Sequence, residues 1–191
     1  MGKGRLEAFS DGVLAIIITI MVLDLKLPSG TDLAALKSMI PTFTSYALSF
    51  VFVGIYWNNH HHLIHVAKTV NGAILWANLH LLFWLSLVPF FTRYMGENCF
   101  TSLPVAAYGV VLLFSAIAFT ILVRTLIHHH GKESTLAQAI GDDRKGNISL
   151  ACYAAGILLS FVHPAIGYSL YILVALIWLI PDQRIEKAIG Q

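Results

Sequence analysis

A basic residue, a hydroxyl and a carboxylate lie close together where the first apolar run of the chain begins. Arg5, Ser10 and Asp11 precede the stretch Val13–Leu23, in which Thr19 is the one polar side chain. A carboxylate at membrane depth costs about 2.5–3.5 kcal/mol on insertion scales, so it is rarely found there without a partner. Arg5 and Asp11 are not (i, i+4) neighbours, so contact between them requires another helix or another subunit.

A helical wheel at about 100° per residue separates these polar groups from an apolar stripe. The stripe follows an i, i+3, i+4, i+7 spacing and consists of Gly12, Ile16, Thr19, Ile20, Leu23 and Leu27. Ser10 and Asp11 lie more than about 100° away from it, on the opposite half of the helix. One face can therefore line a narrow path while Ser10 and Asp11 bind neighbouring helices. On this interpretation Asp11 braces the helix and is not an ion ligand.

The composition places this helix in a membrane protein. Of 191 residues, 57% are hydrophobic and only 12% are charged, and mean hydropathy is +0.74. A soluble domain carries about 25% charged residues, so this chain cannot cover a water-facing surface. The 14 Gly, 6 Pro and 2 Cys, without a collagen period, exclude collagen, disorder and a disulfide scaffold. A net charge of +2 argues against nucleic acid as a partner.

The apolar runs predict a single all-α domain, residues 1–191, with six transmembrane helices. A transmembrane helix needs roughly 17–25 mostly apolar residues. The runs that meet or approach this length are Phe9–Leu27, Met39–Asn59, Val70–Tyr94, Leu103–Ile127, Ile148–His163 and Ala165–Pro181. Pro164 divides the last two, because proline disfavours helix in the residue before it. We interpret these two short runs as a tight helical hairpin.

The distribution of basic residues predicts that both termini are cytoplasmic. With six spans both ends lie on one side of the membrane, and the cytoplasmic side is the one richer in Lys and Arg. The terminal side receives nine of the 12 basic residues and the other side three, which are Lys26, Lys37 and Arg93.

The first helix resembles the signature of a known family. Arg-x-x-x-Phe-Ser-Asp at residues 5–11, followed by Gly-Val-Leu-Ala-Ile-Ile-Ile-Thr at residues 12–19, is similar to the transmembrane protein 175 family. Its members are potassium channels of endosomes and lysosomes and their prokaryotic relatives. Animal members carry two copies of the six-helix unit, whereas this chain has one. The resemblance therefore implies the prokaryotic type, in which four subunits surround one pore in the plasma membrane.

The resemblance also implies roles for individual residues. The first helix of each subunit lines the pore, Ile16 forms the tightest apolar ring, and Thr19 and Leu23 face the pore at the next levels. Ile20, on the same stripe, is included with Ile16 and Leu23 in the predicted constriction, and Thr19 is the predicted selectivity residue. Trp57 of the second span is expected to support Thr19. Arg5, Ser10 and Asp11 are expected to join a hydrogen-bond network that positions the first helix, with Asn78 or His80 of the third span as partners. Phe9 belongs to the same structural motif.

Two histidine clusters admit more than one interpretation. His60–His62 with His65, and His128–His130, lie at predicted cytoplasmic ends of spans. Metal binding through His61 and His65 is conceivable at their (i, i+4) spacing. An interfacial, partly protonated helix end is the favoured alternative, because no cysteine or carboxylate completes a ligand set nearby. Modulation by pH is a third interpretation.

The sequence therefore favours a potassium-selective leak channel over an enzyme. No span offers a paired-carboxylate site, a nucleophile elbow or a phosphate loop, and no cofactor other than permeant potassium ions is expected. Val53–Tyr56 bears a faint likeness to a carbonyl filter but continues an ordinary span, so selectivity must come from side chains. The alternatives are a proton- or cation-coupled secondary transporter that uses Asp11, and a non-conducting membrane scaffold.

Overall fold

The protein is described by a computed structural model that covers residues 2–131, 134, 137 and 143–179. All regular secondary structure in these residues is α-helical, as predicted. The helices are α1 (Gly4–Leu23), α2 (Leu33–Ser38), α3 (Ile40–Val66), α4 (Gly72–Ser86), α5 (Val88–Glu97), α6 (Ser102–His130), α7 (Arg144–Ser160) and α8 (Pro164–Leu179).

Four stretches of the described chain are long and apolar enough to cross a membrane. They are α1, α3, the α4–α5 pair taken as Gly72–Glu97, and α6. Of the three remaining helices, α2 has only 6 residues, whereas α7 has 17 and α8 has 16, and α7 and α8 pack against each other. These six passages agree with the predicted six-helix architecture.

The helices begin and end at residues other than the limits of the apolar runs. α1 begins at Gly4 and ends at Leu23, whereas the run extended to Leu27. Pro28 disfavours helix at Leu27. Leu27 is therefore outside the helix and 91% exposed, so its predicted place on the stripe is wrong.

Two other passages differ from their predicted runs in the same way. The third run is interrupted at Leu87 because Pro89, in the first turn of α5, cannot donate a hydrogen bond to the preceding turn. α3 continues seven residues past Asn59 and includes the first histidine cluster. The predicted end of the last run at Pro181, and the C-terminal basic residues used for orientation, lie outside the described residues.

α7 and α8 form a hairpin whose turn lies at residues 161–163, immediately before Pro164. Close approach of the two helices depends on small residues. A Cβ atom at Gly156 would lie 2.5 Å from Cε1 of Tyr171, and one at Gly167 would lie 2.6 Å from the Gly156 carbonyl oxygen. The buried Tyr171 ring thus occupies space that only glycine leaves free.

α1 lies at the edge of the subunit and packs against α3, α4 and α5. It buries one face, which consists of Leu6, Ser10, Leu14, Ile17 and Met21. The spacing of these residues is that of a single helical face. In the described part of the chain the opposite face is exposed, and its Ile16 and Ile20 border a groove with Phe90 of α5, so α1 presents two chemically different sides.

Candidate functional site

The unpartnered face of α1 carries the residues that the sequence predicts to line a pore. Ile16, Ile20 and Leu23 are 60%, 43% and 76% exposed, and Gly12 and Thr19 are exposed with them. None of these side chains belongs to the buried face of the helix. The structure thus brings the predicted stripe together on one open surface and leaves it available to lipid or to another subunit.

Thr19 supplies the one hydroxyl on this surface. Its Oγ1 donates to the Ala15 carbonyl oxygen one turn earlier, at 2.8 Å. Because the proton is used inside the helix, the hydroxyl oxygen turns its lone pairs outward. A ring of such oxygens would present acceptors, which is the chemistry that a dehydrated cation requires.

The buried face is held by a polar network of three side chains. Ser10, Asn78 and His60 come from α1, α4 and α3, and each is at most 1% exposed. Asn78 Nδ2 donates to Ser10 Oγ at 2.9 Å, and His60 Nε2 lies 2.7 Å from Asn78 Oδ1. Of the two candidate partners in the third span, Asn78 is therefore the one that contacts Ser10.

The direction of every bond in this network follows from the proton of Ser10. Ser10 Oγ donates to the Leu6 carbonyl oxygen at 2.9 Å, so it must accept from Asn78. Asn78 then presents its carbonyl oxygen to His60, and His60 Nε2 carries the proton. His60 Nδ1 is buried and has no hydrogen-bond partner among the described residues.

His60 is the member of the network that the sequence analysis missed. Grouping it with His61 and His62 hid its position on the buried stripe of α3. It follows Phe52 and Tyr56 at intervals of four, and all three are buried. This four-residue spacing in the sequence could have identified His60 as part of the buried face of α3.

His80 does not join the network that the sequence analysis assigned to it. Its Nε2 accepts from Trp84 Nε1 at 3.0 Å, on an exposed part of α4. His80 lies two residues after Asn78, about 200° around the helix, so both cannot face α1. The expected His80 contact with the Ser10–Asp11 pair is therefore absent within the chain.

Trp57 also has a different partner from the expected one. Its Nε1 donates to Asp11 Oδ1 at 3.0 Å, whereas Thr19 lies more than two turns further along α1. Within one chain Trp57 therefore braces α1 through Asp11 and does not support Thr19. The carboxylate sits on the flank of the helix and receives a donor, as a bracing group requires.

Further polar contacts surround the start of α1. Glu7 Oε1 lies 3.2 Å from His61 Nδ1, and the Lys3 ammonium donates to the His65 carbonyl oxygen at the end of α3. In the described part of the chain, Arg5 makes no hydrogen bond or ion pair. Arg5 and Phe9 instead line an open groove between α1 and α4, where a neighbouring subunit could reach them.

The other end of α1 is attached by ion pairs. Arg93 Nη1 is 3.5 Å from Asp24 Oδ1, and Arg93 Nε donates to Glu97 Oε1 at 3.0 Å. Lys26 Nζ is 2.7 Å from the same Glu97 oxygen. All four side chains are partly exposed, so these pairs contribute much less than the buried network does.

The histidine clusters do not assemble a metal centre. No group of three or more His, Cys, Asp or Glu side chains in the described residues is placed to hold a metal ion. His61 and His65 stack on each other with ring centroids 6.1 Å apart. The first cluster is therefore divided between the buried network, through His60, and the surface of α3.

Comparison with known proteins gives consistent matches. The family model described as endosomal/lysosomal potassium channel TMEM175 matches residues 5–89. A protein of Chryseobacterium sp. (strain P1-3), named as a potassium channel, is 58% identical over all of both chains. The Rattus norvegicus protein named as the endosomal/lysosomal proton channel TMEM175 is 31% identical over 84% of this chain and 36% of its own length.

A solved structure extends this likeness to the fold. The crystal structure of a lysosomal potassium-selective channel TMEM175 homolog from Chamaesiphon minutus matches with a TM-score of 0.82 at 26% sequence identity. The match covers 94% of this chain and 97% of that one. The likeness therefore includes α7 and α8, which lie beyond the residues that the family model matches.

Proposed function

Because the chain belongs to the TMEM175 family, we propose that it forms a potassium-selective leak channel in a prokaryotic plasma membrane. The observation that carries the proposal is the division of α1 into a braced polar face and an open apolar face with one hydroxyl. The names of the Chryseobacterium and Chamaesiphon relatives support potassium as the permeant ion.

The proposed channel is a homotetramer with α1 of each subunit at the shared axis. A single chain offers one open stripe, so a closed conduit needs several copies related by rotation. Four copies are proposed from the resemblance to prokaryotic members, which have one six-helix unit per chain. In this assembly the open face of α1 would leave contact with lipid and surround the ion path.

Gating and selectivity are assigned to successive levels of the stripe. Apolar rings of Ile16, Ile20 and Leu23 would exclude water when narrow and admit a partly hydrated ion when widened by an ångström or two. The outward lone pairs of Thr19 would replace part of the hydration shell between those rings. This arrangement needs no backbone carbonyl filter and predicts looser selectivity than such a filter provides.

The second candidate is a secondary transporter that uses Asp11 as its coupling carboxylate. Asp11 already accepts a hydrogen bond from Trp57 and lies off the open stripe. A coupling group must exchange its partner in each cycle, whereas a brace keeps it. The contact therefore favours the channel.

Basic residues predominate on the side that carries the N-terminus, so we propose that this side is cytoplasmic. The His-rich ends of α3 and α6 would then face the cytoplasm. The Asp24–Arg93 end of α1 would face outward, beside the external mouth of the conduit.

Current recording from purified protein in planar bilayers tests the function. Unitary currents that reverse near the potassium equilibrium potential are expected, whereas slow, saturable flux coupled to protons would indicate the transporter. Ile16→Asn should raise conductance, because a polar ring wets the constriction. Leu176→Asn is a matched control, since Leu176 on α8 is 56% exposed, close to the 60% of Ile16. An unchanged current in Ile16→Asn would remove Ile16 from the pore.

A further inference from the structure

Two histidine rings at the end of α6 hold the short connection between α3 and α4. His130 Nε2 lies 3.1 Å from the backbone nitrogen of Lys68 and 3.4 Å from that of Thr69. His129 Nε2 lies 3.1 Å from Thr69 Oγ1, and His129 Nδ1 lies 3.1 Å from Asn71 Nδ2. We call His129 and His130 the clamp.

The contacts of His130 require a neutral ring. Its Nε2 accepts from two backbone N–H groups, which can only donate. Its Nδ1 lies 2.9 Å from the Leu126 carbonyl oxygen, which can only accept, so the single ring proton is on Nδ1. A protonated His130 would point an N–H at two N–H groups of the backbone, which cannot turn around.

His129 is restricted in the same way through Asn71. The Asn71 side chain caps α4, because its Oδ1 accepts from the Ile74 N–H at 3.0 Å. Its Nδ2 must therefore donate to His129 Nδ1, and His129 Nε2 donates to Thr69. If His129 were protonated, Asn71 would have to rotate its amide and give up the cap of α4.

On α3, α4, α6 and the connection, the ionisable side chains near the clamp are basic. They are Lys68 on the connection, His65 at the end of α3, and Arg124 and His128 on α6, while the first two turns of α4 contain none. The start of α1, which meets the end of α3, adds Lys3, Arg5 and Glu7, of which Glu7 is paired with His61. Among the described residues no carboxylate forms an ion pair with either ring of the clamp. With respect to the basic side chains named here, positive charge added to the clamp would meet like charge.

The connection held by the clamp joins the two helices that brace α1. α3 contributes Trp57 to Asp11, and α4 contributes Asn78 to Ser10. In the proposed tetramer these bonds would hold α1 outward, against the tendency of apolar stripes around a water-filled path to close on one another. α3 and α4 are also joined by the buried His60–Asn78 bond, so release of the connection would free only the ends of the two helices on the clamp side and let the start of α1 shift towards the axis.

We propose that protonation of the clamp from the side that bears it, assigned above to the cytoplasm, releases the α3–α4 connection and lowers the channel current. The proposal deepens the proposed function and rests on it. The proposal rests on the geometry of the clamp, because each ring accepts a hydrogen bond at a nitrogen that protonation would convert to a donor.

Two substitutions separate the hydrogen bonds of His130 from its charge. His130→Gln keeps an acceptor for the backbone N–H groups that does not titrate, so its current should stay high at acid pH. His130→Lys offers donors only and should have the acid behaviour already at pH 7.5. His128→Gln is the matched control, because His128 is an exposed ring on the same turn with no described bond to the connection.

The experiment records potassium current in planar bilayers while one chamber at a time is brought from pH 7.5 to 5.5. In wild type and His128→Gln, current should fall about threefold or more when the chamber facing the clamp is acidified, and should stay unchanged when the other chamber is acidified. A hydrogen bond changes an equilibrium about fivefold, so a loss of this order is expected when one is broken. His130→Gln should lose little. Equal loss in His130→Gln and in wild type would overturn the proposal.

Amide hydrogen exchange in nanodiscs tests the clamp without any current. After correction for intrinsic rates, exchange in residues 66–72 should accelerate about tenfold at pH 5.5 in wild type, and not in a His129→Gln/His130→Gln variant. No acceleration in wild type would overturn the clamp even if the channel conducts. Acceleration in a protein that passes no potassium would instead refute the proposed function and leave the clamp established.

Discussion

Removal of the Asn78 side chain on α4 should weaken the attachment of α1 to the rest of the subunit. Asn78→Ala deletes two hydrogen bonds and leaves the His60 N–H without an acceptor in a site that is 1% exposed. A buried polar group that loses its partner costs about 1–3 kcal/mol, and each bond contributes about 1 kcal/mol net. The expected loss of unfolding free energy is about 2–4 kcal/mol.

A double-mutant cycle isolates the Ser10–Asn78 bond from the rest of this loss. In membrane proteins such coupling energies average about 0.6 kcal/mol and reach about 1.7 kcal/mol. The bond is 2.9 Å long and joins two fully buried groups, so a coupling of about 1 kcal/mol is expected. Ser10→Ala and Asn78→Ala, alone and together, provide the four corners of the cycle.

The assay is equilibrium unfolding in mixed micelles with a rising fraction of denaturing detergent, followed by tryptophan fluorescence. Ser86→Ala is the matched control, because Ser86 is exposed and its Oγ donates only to the Phe83 carbonyl oxygen in its own helix. That variant should change stability by less than about 0.5 kcal/mol. Additive effects of Ser10→Ala and Asn78→Ala, with no coupling, would refute the claim that this network holds α1.

Two further predictions concern the other attachments of the helices. Trp57→Phe removes the N–H group that donates to Asp11. The expected loss of unfolding free energy in the same assay is no more than about 1 kcal/mol, because this contact is partly exposed. A larger loss would mean that the indole does more than brace α1. Gly109→Ala should cost about 1–3 kcal/mol, because its Cβ would collide with the Tyr171 ring at 2.5 Å from Cζ. Gly54→Ala has nothing within 4 Å of the new Cβ, so a stability unchanged or slightly raised is the expected control result in the same assay.

The features of α1 that follow from helix periodicity could be predicted from the sequence. Ile16, Thr19 and Leu23 repeat at intervals that place them on one face whatever the neighbours are. A bond from a polar side chain of the third span to Ser10 or Asp11 could also be predicted, since buried polar groups need partners and few are available in an apolar chain.

The features that depend on how helices rotate against each other could not be predicted. Trp57 was assigned to Thr19, but the rotation of α3 places its indole against Asp11. His80 and Asn78 are two residues apart, and only the packing of α4 decides which of them faces α1. Helix ends were missed for a related reason, because proline and capping residues set them and hydropathy does not.

The two ends of α1 are attached by interactions of different strength, and this difference bears on how a tilt could open the conduit. The N-terminal half is tied by a buried network and by the Trp57 bond, whereas Asp24 at the far end is held by partly exposed ion pairs. Exposed pairs are screened by salt and exchange readily with water, whereas buried bonds have no such competitor. Rotation about the braced half therefore moves Leu23 furthest and Ile16 less. In the proposed tetramer the far end of the stripe would therefore widen first, and the ring of Ile16 would be the last level to admit water.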